Sequence, residues 1–311
     1  MNILITGGAG FIGSHAATKI QEHGNNVLVL DNFKTGKTSN LKGFRGHIEL
    51  CDITDIELLD RKFESFKPSV VHHFAAQSAI SVSEKDPVYD ASVNILGTIN
   101  LLRMAKKHGV IRFIFSSTSA VYSPQSWFSP KESSETEPSS PYGISKLAAE
   151  NYIRASGIPH VIFRYGNVYG PRQVSIGENQ LIARALDHFL KGHSFSVVGD
   201  GKQKRDFIYV DDVADAHLLV NDWNDVTGTF NLATGKSHSV NEVVSMIADI
   251  FGVPSYPWNH TRQQDPRGSV YINNWLIRTA ISMNFTSLED GLLETIKEAN
   301  GNQNIHQPKG N

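Results

Sequence analysis

Three glycines, each three residues after the last, follow a short apolar strand pattern at the start of the chain and precede a helical pattern. The glycines are Gly7, Gly10 and Gly13. The strand pattern, Asn2–Thr6, is rich in isoleucine and leucine and ends at the first glycine, as a buried parallel strand does. Helical spacing of apolar residues runs through Ile12–His23, and a second strand pattern follows at Asn26–Leu30. A strand, a helix and a strand within about 30 residues are typical of a βαβ unit, whose glycine turn brings a helix N-terminus close to a phosphate group.

Strand and helix patterns continue to alternate through the first half of the chain. Helical patterns cover Ile56–Phe66 and Asn94–His108. Ser139-Ser140-Pro141 predicts the start of another helix, because serine caps a helix and proline fits its first turn. The intervening strand patterns are Ile48–Leu50, Val70–Phe74, Arg112–Ser116 and His160–Phe163. This alternation predicts the α/β fold class, as a doubly wound parallel (Rossmann) sheet with helices on both faces.

The regular alternation ends about halfway along the chain. Segments rich in glycine, aspartate and asparagine then separate shorter helical patterns, Gln180–Lys191 and Val240–Phe251. We therefore expect residues 1–165 to form a dinucleotide-binding Rossmann domain. Residues 166–300 are expected to form mainly a smaller α+β substrate-binding lobe that is interleaved with the sheet. Residues 301–311 are polar and lack periodicity, which predicts a tail that frays.

The charge balance and the apolar pattern exclude several classes of partner. The 29 basic and 31 acidic residues are mixed along the chain and give a formal net charge of −2, so we expect no nucleic acid partner. Membrane association is not expected either, because no apolar run approaches the roughly 18 residues of a membrane span. The first residues carry neither the basic nor the apolar region of a secretion signal. A single cysteine, Cys51, cannot form an internal disulfide, so a cytoplasmic protein is predicted.

An acidic residue closes the second strand pattern. Asp31 lies 18 residues after Gly13. A carboxylate at this place accepts hydrogen bonds from an adenosine ribose and repels the additional phosphate of NADP, so NAD is predicted as the cofactor. A turn or helix-capping aspartate is the alternative interpretation. Asp52 and Ile53 follow the third strand pattern and are candidates to flank the adenine, although Asp52 is also placed to cap the next helix.

A tyrosine and a lysine lie four residues apart in the helix that Pro141 opens, which puts both on one face. The ordinary pKa of a tyrosine, near 10, makes it a poor base at neutral pH. A lysine ammonium one turn away and a positive nicotinamide ring both favour the phenolate, so Tyr142 with Lys146 is a candidate base. Such a pair is common by chance, but Thr118 follows a strand end that faces the cofactor. Its hydroxyl is a candidate to hold a substrate oxygen, and a plain turn residue is the alternative.

The motifs together resemble an extended short-chain dehydrogenase/reductase of the nucleotide-sugar epimerase/dehydratase family. The likeness runs from Ile3 to about Asp215 and thins beyond it. The motifs that carry it are TGGAGFIGSH, LDNF, CDI, HFAA, FSSTSAVY, PYGISKLAAE, FRYGNVYGPR and GDGKQKRDFIYVDDV. The resemblance implies an NAD-dependent enzyme with Thr118, Tyr142 and Lys146 at the catalytic positions. It also implies an NAD site lined by Gly7, Gly10, Phe11, Ile12, Gly13, Asp31, Asn32, Asp52, Ile53, Phe74, Ala75, Ala76, Asn94, Tyr142, Lys146 and Tyr165, the last near the nicotinamide.

The residues after Thr118 favour one reaction of this family over the others. Dehydratases of the family usually carry an acid one or two positions later, and here those positions are Ser119 and Ala120. Members that epimerise beside a keto group often use a cysteine near the threonine, but Cys51 lies elsewhere. What remains resembles a 4-epimerase that oxidises and re-reduces C4 of a UDP-sugar, either glucose/galactose or their N-acetyl forms. A 4-keto-sugar reductase, a dehydratase-type oxidoreductase and a non-catalytic NAD-binding protein are the alternatives.

The substrate contacts are implied by the resemblance alone. Thr118 is one of them, and the others are Asn167, Gln180, Leu181, Arg205 and Arg267. Arg205 matches a position that holds the nucleotide diphosphate, and a salt bridge with Asp206 or Asp200 is the alternative. The segment around Arg267 departs from the family pattern, since the arginine has slipped one place and Ser269 replaces an acid. UDP is the nucleotide that the resemblance implies.

Two further expectations concern assembly and the size of the sugar. The resemblance implies a homodimer formed through two helices of each subunit, for which Asn94–His108 and Ser145–Arg154 are the candidates. Gly166 stands where relatives often carry a bulky aromatic residue. This glycine predicts room for an N-acetyl group beside the hexose.

Overall fold

The computed structural model describes residues 1–124, 128–175, 180–222, 226–253, 258–261, 269–281 and 283–301. The strands in these ranges are β1 (Asn2–Thr6), β2 (Asn26–Asp31), β3 (His47–Leu50), β4 (Val70–His73), β5 (Arg112–Thr118), β6 (His160–Tyr165), β7 (Asn167–Tyr169), β8 (Phe195–Val197), β9 (Lys204–Tyr209), β10 (Gly228–Leu232), β11 (Ser237–Ser239) and β12 (Trp258–His260). The α-helices are α1 (Phe11–Glu22), α2 (Ile56–Phe66), α3 (Ile80–Lys85), α4 (Pro87–Ala91), α5 (Gly97–Lys107), α6 (Pro141–Ala155), α7 (Leu181–Leu190), α8 (Val210–Leu219), α9 (Val240–Ile250), α10 (Trp275–Ala280) and α11 (Leu288–Ala299).

Seven parallel strands form the main sheet, in the order β10-β6-β5-β4-β1-β2-β3. Strands β2 and β3 lie on one side of β1, and β4, β5, β6 and β10 lie on the other. The strand order therefore reverses between β1 and β4, and a ligand crevice opens at the carboxyl ends of the strands at such a reversal. The predicted doubly wound parallel sheet is confirmed.

Two apolar cores cover the two faces of this sheet. Successive side chains of a strand point to opposite faces, so Ile3 and Ile5 belong to one core whereas Leu4 belongs to the other. The first core includes Ala16 and Ile20 of α1 together with Val213 and Ala216 of α8. The second core takes its helical side chains from α2, α5 and α6. Because both faces of the sheet are buried at its centre, β1 and β2 carry runs of successive apolar residues rather than an alternating pattern, whereas β3 at the edge is mostly exposed.

A smaller lobe is built from the second half of the chain. Strands β11, β9 and β7 form a mixed three-stranded sheet, and β12 pairs with β8 in parallel. Helices α7, α9 and α11 supply most of the apolar core of this lobe, which also contains Tyr169, Phe195 and Phe207. The second half also returns to the main sheet, since Gly228 to Leu232 of β10 pair with Val161 to Tyr165 of β6.

The start of α6 agrees with the sequence pattern, whereas the region around Asn94 differs from it. Ser140 caps α6 by accepting a hydrogen bond from Gly143 N, and Pro141 is the first helical residue, as predicted. The single helix predicted over Asn94–His108 is instead a π-helical turn, Ser92–Leu96, followed by α5. π-helices occur mostly as single turns within α-helices, and frequently at functional sites. Within the described ranges, no helix has both the length and the apolarity that crossing a bilayer requires.

Candidate active site

The glycine turn after β1 forms a cradle for a phosphate group. Gly7 has a φ of +70°, and a Cβ added there would lie 2.5 Å from Ala75 N. A Cβ on Gly13 would overlap the carbonyl oxygen of Gly7, so the helix packs against the turn only with glycine at this position. No side chain caps α1 at Gly10, which leaves the first backbone N–H groups of the helix for an anion. The backbone therefore fits the pyrophosphate of a dinucleotide.

Phe11 and Ile12 open α1 directly beside this cradle. Both are partly buried, and their side chains pack against the core of the smaller lobe. Their side chains therefore anchor the N-terminus of α1 against the apolar cores. Only their backbone N–H groups are placed to bind a phosphate.

Asp31 ties the end of β2 to the glycine turn. Its Oδ2 accepts a hydrogen bond from Ala9 N at 2.9 Å, and its Oδ1 accepts one from Phe33 N at 2.8 Å. The residue is 7% exposed. Each carboxylate oxygen has a second lone pair, so the group can still accept from a ribose hydroxyl. Asp31 thus stabilises the turn, as the alternative interpretation holds, and its carboxylate can also bind the ribose of the cofactor.

Replacing Asp31 with asparagine tests the cofactor role, although it also removes one of the two backbone hydrogen bonds of the turn. Asp31→Asn keeps one oxygen that can accept a hydrogen bond but removes the charge that repels the phosphate of NADP. We expect the preference for NAD over NADP to fall by about tenfold, which corresponds to 1.4 kcal/mol. Equilibrium binding of both cofactors to the full chain measures this. Asp55→Asn is the matched control, because asparagine caps α2 as well as aspartate does; an unchanged preference in Asp31→Asn would leave Asp31 with the turn role alone.

Asn32 and Asp52 meet beside Asp31 at the carboxyl ends of β2 and β3. Asn32 Nδ2 donates to Asp52 Oδ2 at 2.7 Å, and Asp52 Oδ1 accepts from Thr54 N and Thr54 Oγ1. The N-cap of α2 is Asp55, not Asp52. The Ile53 side chain is buried against Gly97 of α5, so its backbone is the part that can face an adenine.

The end of β4 supplies the next wall of the crevice. Phe74 N donates to Thr6 O at 3.0 Å, which continues the pairing of β4 with β1 beyond His73. Ala75 and Ala76 follow and are partly exposed. Because Ala75 also lies against Gly7, this segment and the glycine turn line one continuous crevice.

Thr118 and Tyr142 lie together at the carboxyl end of β5. Thr118 is the last residue of the strand, and its Oγ1 accepts a hydrogen bond from Ala120 N at 3.1 Å. The hydroxyl of Tyr142 is hydrogen-bonded to the Thr118 side chain. Burial raises the pKa of Tyr142 to about 12, and the bond to Thr118 opposes this rise. In the chain by itself, therefore, Tyr142 holds its proton, and a cation bound beside it has to favour the phenolate.

Lys146 lies one turn after Tyr142 on α6 and is 3% exposed. Its Nζ is 4.0 Å from the centroid of the Phe115 ring, a cation–π contact. Burial lowers the pKa of Lys146 to about 7, while the carboxylates of Glu150 and Asp90 oppose this change. The pairing of Tyr142 and Lys146 on one helix face is present as the spacing predicted.

A buried polar cluster that the sequence analysis missed lies behind Lys146. Asp90 Oδ1 accepts from Gln77 Nε2 at 2.7 Å and from Asn94 Nδ2 at 3.1 Å. Asn94 Nδ2 also contacts Ser145 Oγ at 3.0 Å, and Asn94 Oδ1 accepts from Gln77 N at 2.9 Å. The π-helical turn brings Asn94 into this cluster. Asn94 therefore holds the loop after β4 and the helix α6 together, in addition to any cofactor contact.

A buried ion pair, also missed, attaches α6 to the sheet. Glu150 is fully buried and accepts from Arg164 Nε at 3.0 Å and from Arg164 Nη2 at 2.7 Å. Ser117 Oγ and Arg154 Nη2 each donate to the same carboxylate at 2.5 Å. The hydrogen bonds and positive charges hold the pKa of Glu150 below its usual value, against the effect of burial. Glu150, the last residue of the PYGISKLAAE motif that carries Tyr142 and Lys146, thus fixes α6 to β5 and β6.

Tyr165, the last residue of β6, is buried next to these groups. Its hydroxyl lies 2.9 Å from Ser116 Oγ and 2.5 Å from His217 Nε2. In the register of β5 and β6, Tyr165 pairs with Thr118. Tyr165 therefore stands beside Thr118, and the structure adds His217, which the sequence analysis did not select.

Two of the predicted substrate residues, Asn167 and Arg205, lie on the neighbouring strands β7 and β9 of the smaller lobe. Asn167 Nδ2 donates to Asp206 O at 3.3 Å, and Arg205 is buried with its Nη1 donating to Lys204 O at 2.8 Å. The Asp206 carboxylate accepts from Thr234 and from Gly235 N, and burial raises its pKa to about 6.

Gln180 and Leu181 stand at the start of α7. Gln180 precedes the helix, and its buried Oε1 has no hydrogen-bond partner among the described residues. Leu181 is the first residue of α7 and packs against the core of the smaller lobe. Arg267 lies outside the described residues.

Gly166 does not open onto free space. A Cβ added there would lie 3.0 Å from Asp206 O and 3.4 Å from the Ala233 Cβ. The space beside Gly166 is therefore occupied by the backbone of Asp206 and the side chain of Ala233. The room predicted for an N-acetyl group does not follow from this glycine.

These groups form one site at the carboxyl ends of the parallel strands. The glycine turn, Asp31 and the end of β4 form an elongated crevice of the kind that binds a dinucleotide. Thr118, Tyr142 and Lys146 lie at its other end, where a hydroxyl, a phenol and an amine can exchange a proton with a bound alcohol.

Comparison with known proteins supports this arrangement. The model of the NAD dependent epimerase/dehydratase family matches residues 3–233. UDP-glucose 4-epimerase of Mycolicibacterium smegmatis is 31% identical over 309 residues, which cover 96% of this chain and 98% of that protein.

Two solved structures share the whole fold. UDP-glucose 4-epimerase of Thermotoga maritima, crystallised with UDP-glucose, has a TM-score of 0.90 and 35% identity, covering 97% of this chain and 99% of that one. UDP-N-acetylglucosamine 4-epimerase of Methanobrevibacter ruminantium, in complex with UDP-N-acetylmuramic acid, has a TM-score of 0.89 and 30% identity, with the same two coverages. The chain belongs to the NAD-dependent epimerase/dehydratase family.

Proposed function

We propose that this protein is an NAD-dependent 4-epimerase of a UDP-hexose. The observation that carries the proposal is the group of Thr118, Tyr142 and Lys146 at the end of β5, followed by Ser119 and Ala120 instead of an acid. An acid at these positions would drive loss of water from the keto sugar. The relatives named as UDP-glucose 4-epimerases support the same reaction.

The chemistry follows from the proton positions in the site. Tyr142 takes the proton of the C4 hydroxyl, and Thr118 holds the same sugar oxygen by its own hydroxyl. Lys146 lies one turn after Tyr142. Burial lowers the pKa of Lys146 to about 7, and the carboxylates of Glu150 and Asp90 favour its charged form against this burial, so that it contributes positive charge beside the phenolate. NAD held by the glycine turn and Asp31 would supply the hydride acceptor and donor that the chemistry at C4 needs. Tyr142 then gives the proton back after the keto sugar has turned its other face, so the reaction needs no net proton or reductant.

The two halves of the chain divide this work. We propose that residues 1–165 hold NAD, through the glycine turn, Asp31 and the end of β4. Residues 166–300 mainly hold the substrate, although β10 belongs to the main sheet. The unpartnered Oε1 of Gln180 supports a substrate group that donates a hydrogen bond there. Buried Arg205 supports binding of the diphosphate, since a guanidinium binds phosphate oxygens in pairs.

We also propose a homodimer formed through α5 and α6. Several large apolar side chains are exposed on and beside these helices: Val88 is 77% exposed, Leu96 56%, Ile144 55% and Tyr152 49%. Exposed apolar residues gathered on neighbouring helices are typical of an interface between subunits.

A panel of sugar nucleotides tests the proposed reaction. The full chain, saturated with NAD, is incubated in parallel with UDP-galactose, UDP-glucose, UDP-N-acetylglucosamine and dTDP-glucose, and the configuration at C4 is read by NMR. We expect interconversion of the C4 epimers of at least one UDP-sugar, with no dehydrated product. The M. ruminantium neighbour makes the N-acetyl sugar a necessary arm of the panel.

Each other outcome identifies a different enzyme. A 4-keto-6-deoxy product would overturn the epimerase proposal in favour of a dehydratase. Consumption of NADH in step with a 4-keto substrate would indicate a reductase, because an epimerase returns every hydride. The Tyr142→Phe variant is the control for a contaminating activity in each arm.

A further inference from the structure

His217 lies beneath the end of the crevice that we assign to the nicotinamide. It comes from α8 and is fully buried. Its ring centroid is 4.4 Å from that of Phe74, and its Nε2 is 2.5 Å from the hydroxyl of Tyr165. His217 thus touches two residues of the proposed cofactor site without lining it.

The amide of Asn221 determines where the protons of the neighbouring histidine lie. Asn221 Nδ2 donates to the carbonyl oxygens of His217 and Leu218, at 3.3 and 3.1 Å, so Asn221 Oδ1 faces the other way. His72 Nε2 lies 2.9 Å from that oxygen and must donate to it. Burial lowers the pKa of His72 to about 4, so the ring is neutral and its Nδ1 carries no proton.

The proton positions of His217 and Tyr165 follow from that of His72. His72 Nδ1 can only accept, and it lies 2.9 Å from His217 Nδ1, so His217 carries its proton on Nδ1. Burial and the neighbouring His72 hold the pKa of His217 well below its usual value, so its Nε2 can only accept. Tyr165 therefore donates its single proton to His217. The bond of 2.9 Å between Tyr165 and Ser116 consequently has Ser116 as its donor.

Two phenols stand near the proposed reaction centre, and this chain of hydrogen bonds distinguishes them. Tyr165 is the register partner of Thr118, and Tyr142 is hydrogen-bonded to Thr118. The proton of Tyr165 points away from the crevice, into the core between the sheet and α8. The oxygen of Tyr165 can therefore accept a hydrogen bond from the crevice side but cannot donate one.

We propose that His217 is a positioning residue that acts through Tyr165. It accepts a hydrogen bond from the Tyr165 hydroxyl and holds the Tyr165 ring at the nicotinamide end of the crevice. Tyr142 is then the one of the two tyrosines that exchanges a proton with the sugar. The inference rests on the proposed function for its catalytic consequence, but the proton positions themselves do not depend on it.

A spectroscopic experiment tests the proton positions. The full chain is labelled with ring-15N histidine and saturated with NAD, and long-range proton–nitrogen correlations report which nitrogen of each ring is protonated. Signals of His217 and His72 are assigned by their loss in His217→Gln and His72→Gln. We expect a neutral Nδ1–H ring for His217 and a neutral Nε2–H ring for His72 throughout about pH 5 to 8. A proton on His217 Nε2, or titration of His217 in this range, would overturn the proposal.

Steady-state kinetics tests the positioning role. We expect His217→Phe and Tyr165→Phe each to lower kcat by about tenfold, the effect of losing one hydrogen bond, with little change in the KM of the sugar nucleotide. The double variant should be no worse than either single one, because both remove the same bond. His217→Gln should retain most of the kcat, since its amide oxygen accepts from Tyr165 and its N–H faces His72. If the kcat of the double variant fell by the product of the two single losses, His217 and Tyr165 would act independently, which would contradict the proposal.

A packing control separates this role from simple support of the core. Phe163 lies edge-on to the His217 ring, with centroids 5.1 Å apart, and takes no part in the hydrogen bonds. Phe163→Leu should lower Tm while leaving kcat within about twofold. A tenfold loss of kcat in Phe163→Leu would show that packing around the His217 ring, rather than its hydrogen bond to Tyr165, supports turnover. Absence of epimerase activity in every variant and in the wild type would count against the proposed function, and the nitrogen spectra would still decide the proton positions.

Discussion

Tyr142→Phe should lose turnover by roughly 100- to 10,000-fold, the range that general acid–base catalysis contributes, and should still bind NAD. The phenol is the group hydrogen-bonded to Thr118, and α6 is held by the Glu150–Arg164 pair, which this substitution does not touch. The fold and the glycine cradle therefore remain, whereas the base is gone. Turnover of UDP-galactose and equilibrium binding of NAD, measured on the same preparation, check both parts.

Tyr152→Phe is the matched control for this substitution. Tyr152 lies on the same helix almost three turns after Tyr142, so loss of its hydroxyl should change kcat by no more than about twofold. A Tyr142→Phe variant that kept most of its activity would show that another group abstracts the proton, and the assignment of the base would be wrong.

Glu150→Ala should destabilise the fold by about 3–5 kcal/mol, because it leaves the buried guanidinium of Arg164 without its carboxylate. Urea unfolding of the NAD-saturated chain measures the change in the free energy of unfolding. The pKa of Glu150 is lower in the fold than in the unfolded chain. Its contribution is therefore present above the unfolded value, about 4.3, and is lost as pH falls through the lower folded value. The difference from wild type should persist through neutral pH and narrow only in strong acid.

The double variant Glu150→Ala/Arg164→Met separates the ion pair from the packing around it. Removal of both charges leaves no uncompensated buried ion, so a substantial part of the lost stability should return. If the single variant were as stable as wild type, Glu150 would not hold α6 to the sheet, and the position of Lys146 would need another cause.

The fold of the first half was predictable because its signals are local. Each buried strand is a short apolar run, and each helix between them has apolar residues at helical spacing, so Asn2–Thr6 and Ile56–Phe66 have the bounds that the sequence predicts. The second half mixes short strands with loops. Strand β10 pairs with β6, about 65 residues earlier in the chain, and such pairing leaves no local pattern.

The candidate site was predictable where a motif combines glycine geometry or helical spacing with a known chemistry. The glycine turn, Asp31 and the Tyr142–Lys146 pair are of this kind. Asp90 and His217 were not predictable, because their roles depend on contacts with residues distant in sequence. His217 meets His72 across 145 positions, and in the sequence His72 reads only as part of an apolar strand.

Transfer of the C4 hydrogen within one site is the central claim, and a deuterium label tests it most directly. The NAD-saturated chain is incubated with UDP-galactose that carries deuterium at C4, and the product is analysed by NMR and mass spectrometry. Because the hydride leaves C4 and returns to C4 while the keto sugar stays in the site, we expect UDP-glucose with the deuterium retained at C4. Loss of the deuterium to solvent or its accumulation in free NADH would contradict the account.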